Sequence, residues 1–224
     1  MLSGNALKLL ALIFMTMDHA GLMLFPDVRW LRIAGRLAMP IFAYMLAEGM
    51  RHTRSMRGYG TRMVTQGLIC QLLFALAGSD WRFNIFFTFS LSILMVAAIR
   101  KAQQKKNLFC WALVLLSVAG SFALCELLPT YLPQLGFAAD YGFFGALLPV
   151  MVYVADTRLT RLSGAALGLV LIASQYGGIQ WYSLLALALL ALYNGKRGAA
   201  WLKQFFYAYY PLHWALLTLL QQRL

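Results

Sequence analysis

The stretch LFCWALVLLSVAGSFALCEL, residues 108–127, carries a single charged side chain, Glu126, in twenty residues. At about 1.5 Å per residue, a helix of that length spans about 30 Å, the hydrocarbon thickness of a bilayer. Inside lipid only helices and closed barrels satisfy their own backbone hydrogen bonds. The apolar residues here run continuously instead of alternating, which selects the helix. Outward from this segment, apolar runs at 6–25, 33–50, 61–77, 84–99, 141–155, 162–176, 180–194 and 201–220 fill most of the 224 residues. The sequence therefore predicts an all-α transmembrane bundle of about nine spans, one membrane domain over 1–224. The seventh and eighth runs are short and separated only by a turn at 175–180 containing Gly177 and Gly178, so a re-entrant pair is the alternative there. At the N-terminus, Lys8 precedes an apolar run to Phe25 with no convincing small-residue cleavage site, which reads as a retained first helix.

Composition agrees: 62% of residues are hydrophobic and 12% charged, against about a quarter charged in soluble domains. The net charge of +12 would suggest nucleic acid in a soluble chain. Here the Lys and Arg lie mainly in loops. With the N-terminus inside, alternate loops hold Arg51, Arg54, Arg57, Arg62, Arg100, Lys101, Lys105, Lys106, Arg158, Arg161, Lys196, Arg197 and Lys203. With Lys8 these make fourteen of nineteen cations, leaving Arg29, Arg32, Arg36, Arg82 and Arg223 outside. Five of the seven acids, Asp18, Asp27, Asp80, Glu126 and Asp140, fall in the outer half. This is the positive-inside pattern. It predicts a membrane protein with a cytoplasmic N-terminus, the bilayer as partner and no nucleic acid. The three cysteines, Cys70, Cys110 and Cys125, are scattered in apolar segments. Their odd number and spacing give neither a disulfide framework nor a metal site, and no metal is expected.

The informative residues are polar ones at membrane depth. Asp18 and His19 lie about 10 Å below the outer end of the first run, Arg36 about 5–8 Å below the start of the second, and His213 about 10 Å from the end of the last. A charged Asp or Arg near a helix centre costs about 2.5–3.5 kcal/mol, and such groups usually pair, face inward and serve function. A salt bridge of Asp18 with Arg36, locking two helices, is one reading. It leaves two histidines at the same level unexplained, and those point to a shared site. Adjacent Asp18 and His19 point about 100° apart, so Asp18 is expected to hold Arg36 or reach His213 while His19 faces the site.

Pro40 and Pro211 each remove a backbone donor and free the carbonyl one turn earlier, that of Arg36 and that of Tyr207. Tyr207, Tyr209, Tyr210, Phe206 and Trp214 are candidates to line the site, or belong to an aromatic belt. Asn84 and Asp140 are candidate substrate contacts, with helix N-capping as the alternative. On the cytoplasmic side Glu48 can pair with Arg51 and His52 at i+3 and i+4. Arg51 and Arg54 are candidates to hold phosphates.

These same residues carry a family resemblance. Met17-Asp18-His19, Gly35-Arg36-Leu37-Ala38-Met39-Pro40-Ile41-Phe42, Asn84-Ile85-Phe86-Phe87-Thr88 and the stretch from Phe206-Tyr207 to His213 resemble the TraX family of membrane proteins along nearly the whole chain. The resemblance implies a membrane-embedded acetyltransferase: its namesake acetylates the amino terminus of pilin. It implies acetyl-CoA as donor and, as acceptor, a protein N-terminus or a small amine or sugar. It does not imply pilin as this chain's own substrate. On this reading Asp18, His19, Arg36 and His213 are catalytic, with His19 the general base and His213 lining the same cavity, or the two roles exchanged, and Tyr207, Tyr210, Asn84, Asp140, Glu48, Arg51 and Arg54 contact substrate or donor. A small proton-coupled transporter or a non-catalytic assembly factor are the alternatives that the buried polar cluster also permits.

Overall fold

The computed structural model describes residues 1–76, 82–198 and 202–223, without the side chains of 82, 202–204 and 207. Asp80 and the side chains of Arg82, Lys203 and Tyr207 therefore lie outside the described residues. The chain is an all-α integral membrane protein. Among the described residues three helices are long and apolar enough to cross a membrane: Gly4–Met23, Ile85–Lys105 and Leu108–Tyr131. Apolar segments Gly142–Val154 and Gly178–Ala191 are shorter. The described helices follow the predicted runs in order, with two departures.

The chain forms two compact units, residues 1–45 with 157–224, and residues 46–156. The first unit begins with α1 (Gly4–Met23), capped by Ser3, whose hydroxyl accepts from the Ala6 amide at 3.2 Å. The amides of Gly4 and Asn5 donate to the carbonyls of Lys196 and Arg197 at 2.8 and 2.9 Å. Donors that a helix N-terminus leaves unpaired are thus satisfied.

The second predicted run, 33–50, is not one helix. It is α2 (Arg29–Gly35), a turn at Arg36-Leu37, and α3 (Ala38–His52). Pro40 explains the break: its ring would clash with the carbonyl of Arg36 in a continuous helix. In the first turn of a new helix the missing N–H costs nothing. α3 is buried along most of its length, from Ala38 through Tyr44 to Met50. α2 packs on α1 closely enough that a Cβ on Gly35 would run into Asp18.

The second departure follows α9 (Arg158–Tyr176). Gly177 and Gly178, with φ of +64° and +53°, end that helix, in a region of backbone that favours glycine. A 3-10 helix, Gly178–Leu185, then leads into a short α-helix, Ala186–Ala191. The 3-10 segment packs on α9 and α2. The last helix, Leu202–Gln221, packs on α1 and contains Pro211.

The second unit contains the end of α3, α4 (Met56–Leu76), α5 (Ile85–Lys105), α6 (Leu108–Phe122) and α8 (Gly142–Val154), with a short α7 (Leu128–Tyr131) between the last two. Four side chains on α5 and α6, Leu94, Phe109, Leu115 and Leu116, are exposed, as lipid-facing residues are. A π-helical turn, Ala123–Leu127, links α6 to α7. There the Glu126 carboxylate accepts from the Phe143 amide at 2.9 Å, placing a negative group at the N-terminus of α8. A two-residue parallel ladder joins Arg82–Phe83 to Ala138–Ala139.

Candidate functional site

Three elements of the first unit bring polar side chains together at α1. Asp18 is the hub. Its carboxylate accepts from Arg36 at 2.5 Å and from Arg32 at 2.8 Å. Arg32 also donates to the Asp18 carbonyl at 3.1 Å. Arg32 and Arg36 are four residues apart, so α2 and its C-terminal turn present both from one face. Close approach of α2, permitted by Gly35, shortens their reach. The expected Asp18–Arg36 pair is present, and Arg32 completes a clamp that sequence reasoning had assigned to an outer loop. Two guanidiniums on one carboxylate leave a formal excess of one positive charge among side chains only 12–23% exposed. Arg36 further donates to Gln180 Oε1 at 3.3 Å, bringing in the 3-10 helix. Gln180 Nε2 and Ser183 Oγ are buried with no hydrogen-bond partner among the described residues. Three residues apart in a 3-10 helix, they share a face.

The second assembly is the seam of α1 with the last helix. His19 Nδ1 lies 2.7 Å from His213 Nε2, and the rings stack at 5.0 Å. His213 Nδ1 lies 3.0 Å from the Tyr209 carbonyl. A carbonyl only accepts, so Nδ1 of His213 carries a proton. In a neutral His213 its Nε2 is then an acceptor, and His19 Nδ1 is the donor to it. His19 Nε2 is left with a lone pair. His213 is buried and His19 half-buried. Tyr210 packs edge-on against both rings, at 6.2 and 5.3 Å. One turn below, Thr16 and Tyr209 share a hydrogen bond of 2.8 Å between their hydroxyls.

The remaining candidates lie in the second unit. Asn84 is an N-cap: Oδ1 accepts from the Phe86 amide at 3.1 Å, and Nδ2 donates to the Gly67 carbonyl at 2.9 Å. Asp140 is not the N-cap of α8, a place taken by Tyr141 in left-handed conformation. The Asp140 carbonyl instead accepts from Thr88 Oγ1 at 2.7 Å. Glu48 is buried and 3.7 Å from Arg51 Nε and 3.9 Å from His52 Nε2. Arg51 donates to the carbonyls of Val152 at 2.8 Å and Tyr153 at 2.5 Å, and also to that of Ala155, so it gathers the end of α8. Arg54 is exposed in the turn before α4. Among the described residues no group of three or more His, Cys, Asp or Glu is arranged to hold a metal. The cysteines are free and buried.

Sequence reasoning missed Arg32, Gln180 and Ser183. For Arg32 the signal was its four-residue spacing from Arg36. For Gln180 and Ser183 it was two polar residues in an otherwise apolar stretch.

Known proteins resemble this chain along nearly its whole length. A probable fimbrial assembly protein FimC, serogroup H1, of Dichelobacter nodosus is 28% identical, over 96% of this chain and 94% of that one. Protein TraX of Escherichia coli is 25% identical, over 96% of this chain and 86% of its own length. No solved structure matches the chain. The sequence profile of the TraX protein family matches residues 3–221, from the N-cap of α1 to the last residue of the final helix, and the chain belongs to that family.

Proposed function

We propose that this chain is an acyltransferase of the inner membrane that moves an acetyl group from acetyl-CoA to an amine, with the acceptor a pilus-type protein N-terminus. The observation that carries the reading is the oriented pair His19–His213, whose proton arrangement leaves a lone pair on His19 Nε2. The names of the relatives, a fimbrial assembly protein and TraX, support the choice of acceptor.

The acceptor nitrogen attacks the thioester carbonyl carbon and forms a C–N bond. Its proton passes to His19 Nε2. The carbonyl oxygen becomes an oxyanion, beside which the excess positive charge of the Asp18–Arg32–Arg36 cluster and the amide of Gln180 favour negative charge. The C–S bond then breaks, and the departing thiolate takes the proton from His19. The products are an acetamide and free CoA, with no net proton change. His213 acts as a positioning residue: its Nε2 accepts from His19 Nδ1 and fixes the ring. Proton transfer of this kind contributes about 10²–10⁴-fold. The test is transfer of labelled acetyl from acetyl-CoA to a peptide amine by the purified chain in detergent, with His19→Ala and His213→Ala at equal folded amounts. Loss in both, deeper in His19→Ala, is expected. Activity retained in both removes the pair from the chemistry, and a dead His213→Ala beside an active His19→Ala reverses the roles.

A further inference from the structure

Arg54, Met56, Ala97, Arg100, Lys101 and Gln104 enclose a concavity of about 260 Å³ in the second unit. Positions 97, 100, 101 and 104 form one stripe along the last turns of α5, at the i, i+3, i+4, i+7 spacing of a helix face. The facing wall is the turn before α4, with Arg54 in the turn and Met56 the first helical residue. Arg100 Nη1 donates to the Thr53 carbonyl at 3.1 Å, which ties the turn to α5 and fixes the guanidinium at the rim.

Three cations line this hollow and no carboxylate does. The orientation bias assigns cations to this side of the membrane, and the C-terminal end of α5 favours them there. Neither effect gathers three around one concavity, where they repel one another. An anion between them removes that repulsion. Arg and Lys donors with the Gln104 amide match the oxygens of a phosphate, and Met56 with Ala97 offers an apolar wall to whatever the phosphate is attached to. We infer that this hollow binds a phosphate-bearing ligand, with Arg54, Arg100 and Lys101 holding the phosphate. Two sources share that chemistry: the phosphorylated nucleotide end of CoA and the headgroup of an anionic phospholipid. The first source rests on the acyl-transfer reading; the second does not.

The test uses the full chain in zwitterionic detergent and in nanodiscs. The probes are CoA, CoA lacking its 3′-phosphate, and phosphatidylglycerol against phosphatidylcholine. The variant is Arg54→Gln with Lys101→Gln, two exposed positions, and Arg54→Lys is the conservative control. Binding of CoA or phosphatidylglycerol that weakens about tenfold or more in the double variant, and is kept by Arg54→Lys, supports the site. Dependence on the 3′-phosphate assigns the nucleotide. Retained phosphatidylglycerol without CoA binding assigns the lipid. A wild-type chain that binds neither probe overturns the proposal, as does a double variant that binds both as the wild type does. A chain that binds CoA here yet transfers no acetyl group defeats the acyl-transfer reading alone. A chain that transfers acetyl with an unchanged KM for acetyl-CoA in the double variant, and retains no lipid, defeats this one alone.

Discussion

The two units satisfy their buried polar groups in different ways. In the second unit most of the helix-docking contacts go to backbone, the ion pairs of Glu48 with Arg51 and His52 apart. Asn84 binds the Gly67 carbonyl and the Phe86 amide. Thr88 binds the Asp140 carbonyl, Ser92 the Ala146 carbonyl, and Glu126 the Phe143 amide. In the first unit side chains bind side chains: Asp18 to Arg32 and Arg36, Arg36 to Gln180, His19 to His213, Thr16 to Tyr209. A hydroxyl or amide on a carbonyl is enough to dock two helices. Charged groups and paired imidazoles at membrane depth cost far more than docking requires. Both units hold a buried carboxylate with an arginine, but among the described residues the paired imidazoles belong to the first alone, and the proposed chemistry is assigned there.

The sharpest way to break this contrast is to remove one group from each seam and read activity per folded molecule. His19→Ala is expected to lower acetyl transfer by about 10²–10⁴-fold with the folded amount unchanged. Asn84→Ala is expected to lower the folded amount and leave specific activity unchanged. If the two effects change places, the assignment of chemistry to the first unit fails.

Next in size is the clamp. Asp18→Ala leaves two half-buried guanidiniums without their carboxylate, and Arg36→Ala removes the 2.5 Å partner of that carboxylate. Breaking a buried pair by deleting one partner costs about 3–5 kcal/mol. Each is expected to lower the unfolding temperature in detergent. Arg32→Ala is expected to cost less, because Arg36 still holds Asp18. A double-mutant cycle over Asp18 and Arg36 checks the coupling, and strict additivity would show that the ion pair contributes nothing. Asn84→Ala, which takes the side-chain cap from the Phe86 amide, is expected to cost about 1–3 kcal/mol.

The sequence made the helical membrane fold legible because lipid leaves so few options for an apolar run. It also made the level of the polar cluster legible, since depth follows from counting residues. The Asp18–Arg36 pair could be read in this way. Arg32 could not, because the second run was started at 33, and its charge was then counted with the loop. The helix begins at Arg29, although the residues before 33 are not uniformly apolar. The break at Arg36-Leu37 was present in Pro40, whose position within a helix decides whether it kinks a span or starts one. Contact between the His19 and His213 rings needs the rotation of two helices, which residue counts do not supply.

The smallest expected effect tests whether Ser183 belongs to the chemistry. Its Oγ is fully buried with no hydrogen-bond partner among the described residues, and Gln180 Nε2 on the same face of the 3-10 helix is in the same condition. A buried donor left unpaired costs about 1–3 kcal/mol, so a hydroxyl kept there by packing alone would be replaced by a methyl group at no loss. In the acyl-transfer reading the hydroxyl donates to substrate oxygen. Ser183→Ala removes the unpaired group without touching the Arg36–Gln180 contact. It is therefore expected to raise the unfolding temperature slightly while lowering kcat by about tenfold, the loss of one hydrogen bond of about 1.4 kcal/mol in the transition state. Both quantities are measured on one preparation. A fall in unfolding temperature would give the hydroxyl a structural partner, making it a packing group like Thr88 and Ser92. An unchanged kcat would remove it from the site whatever the stability does.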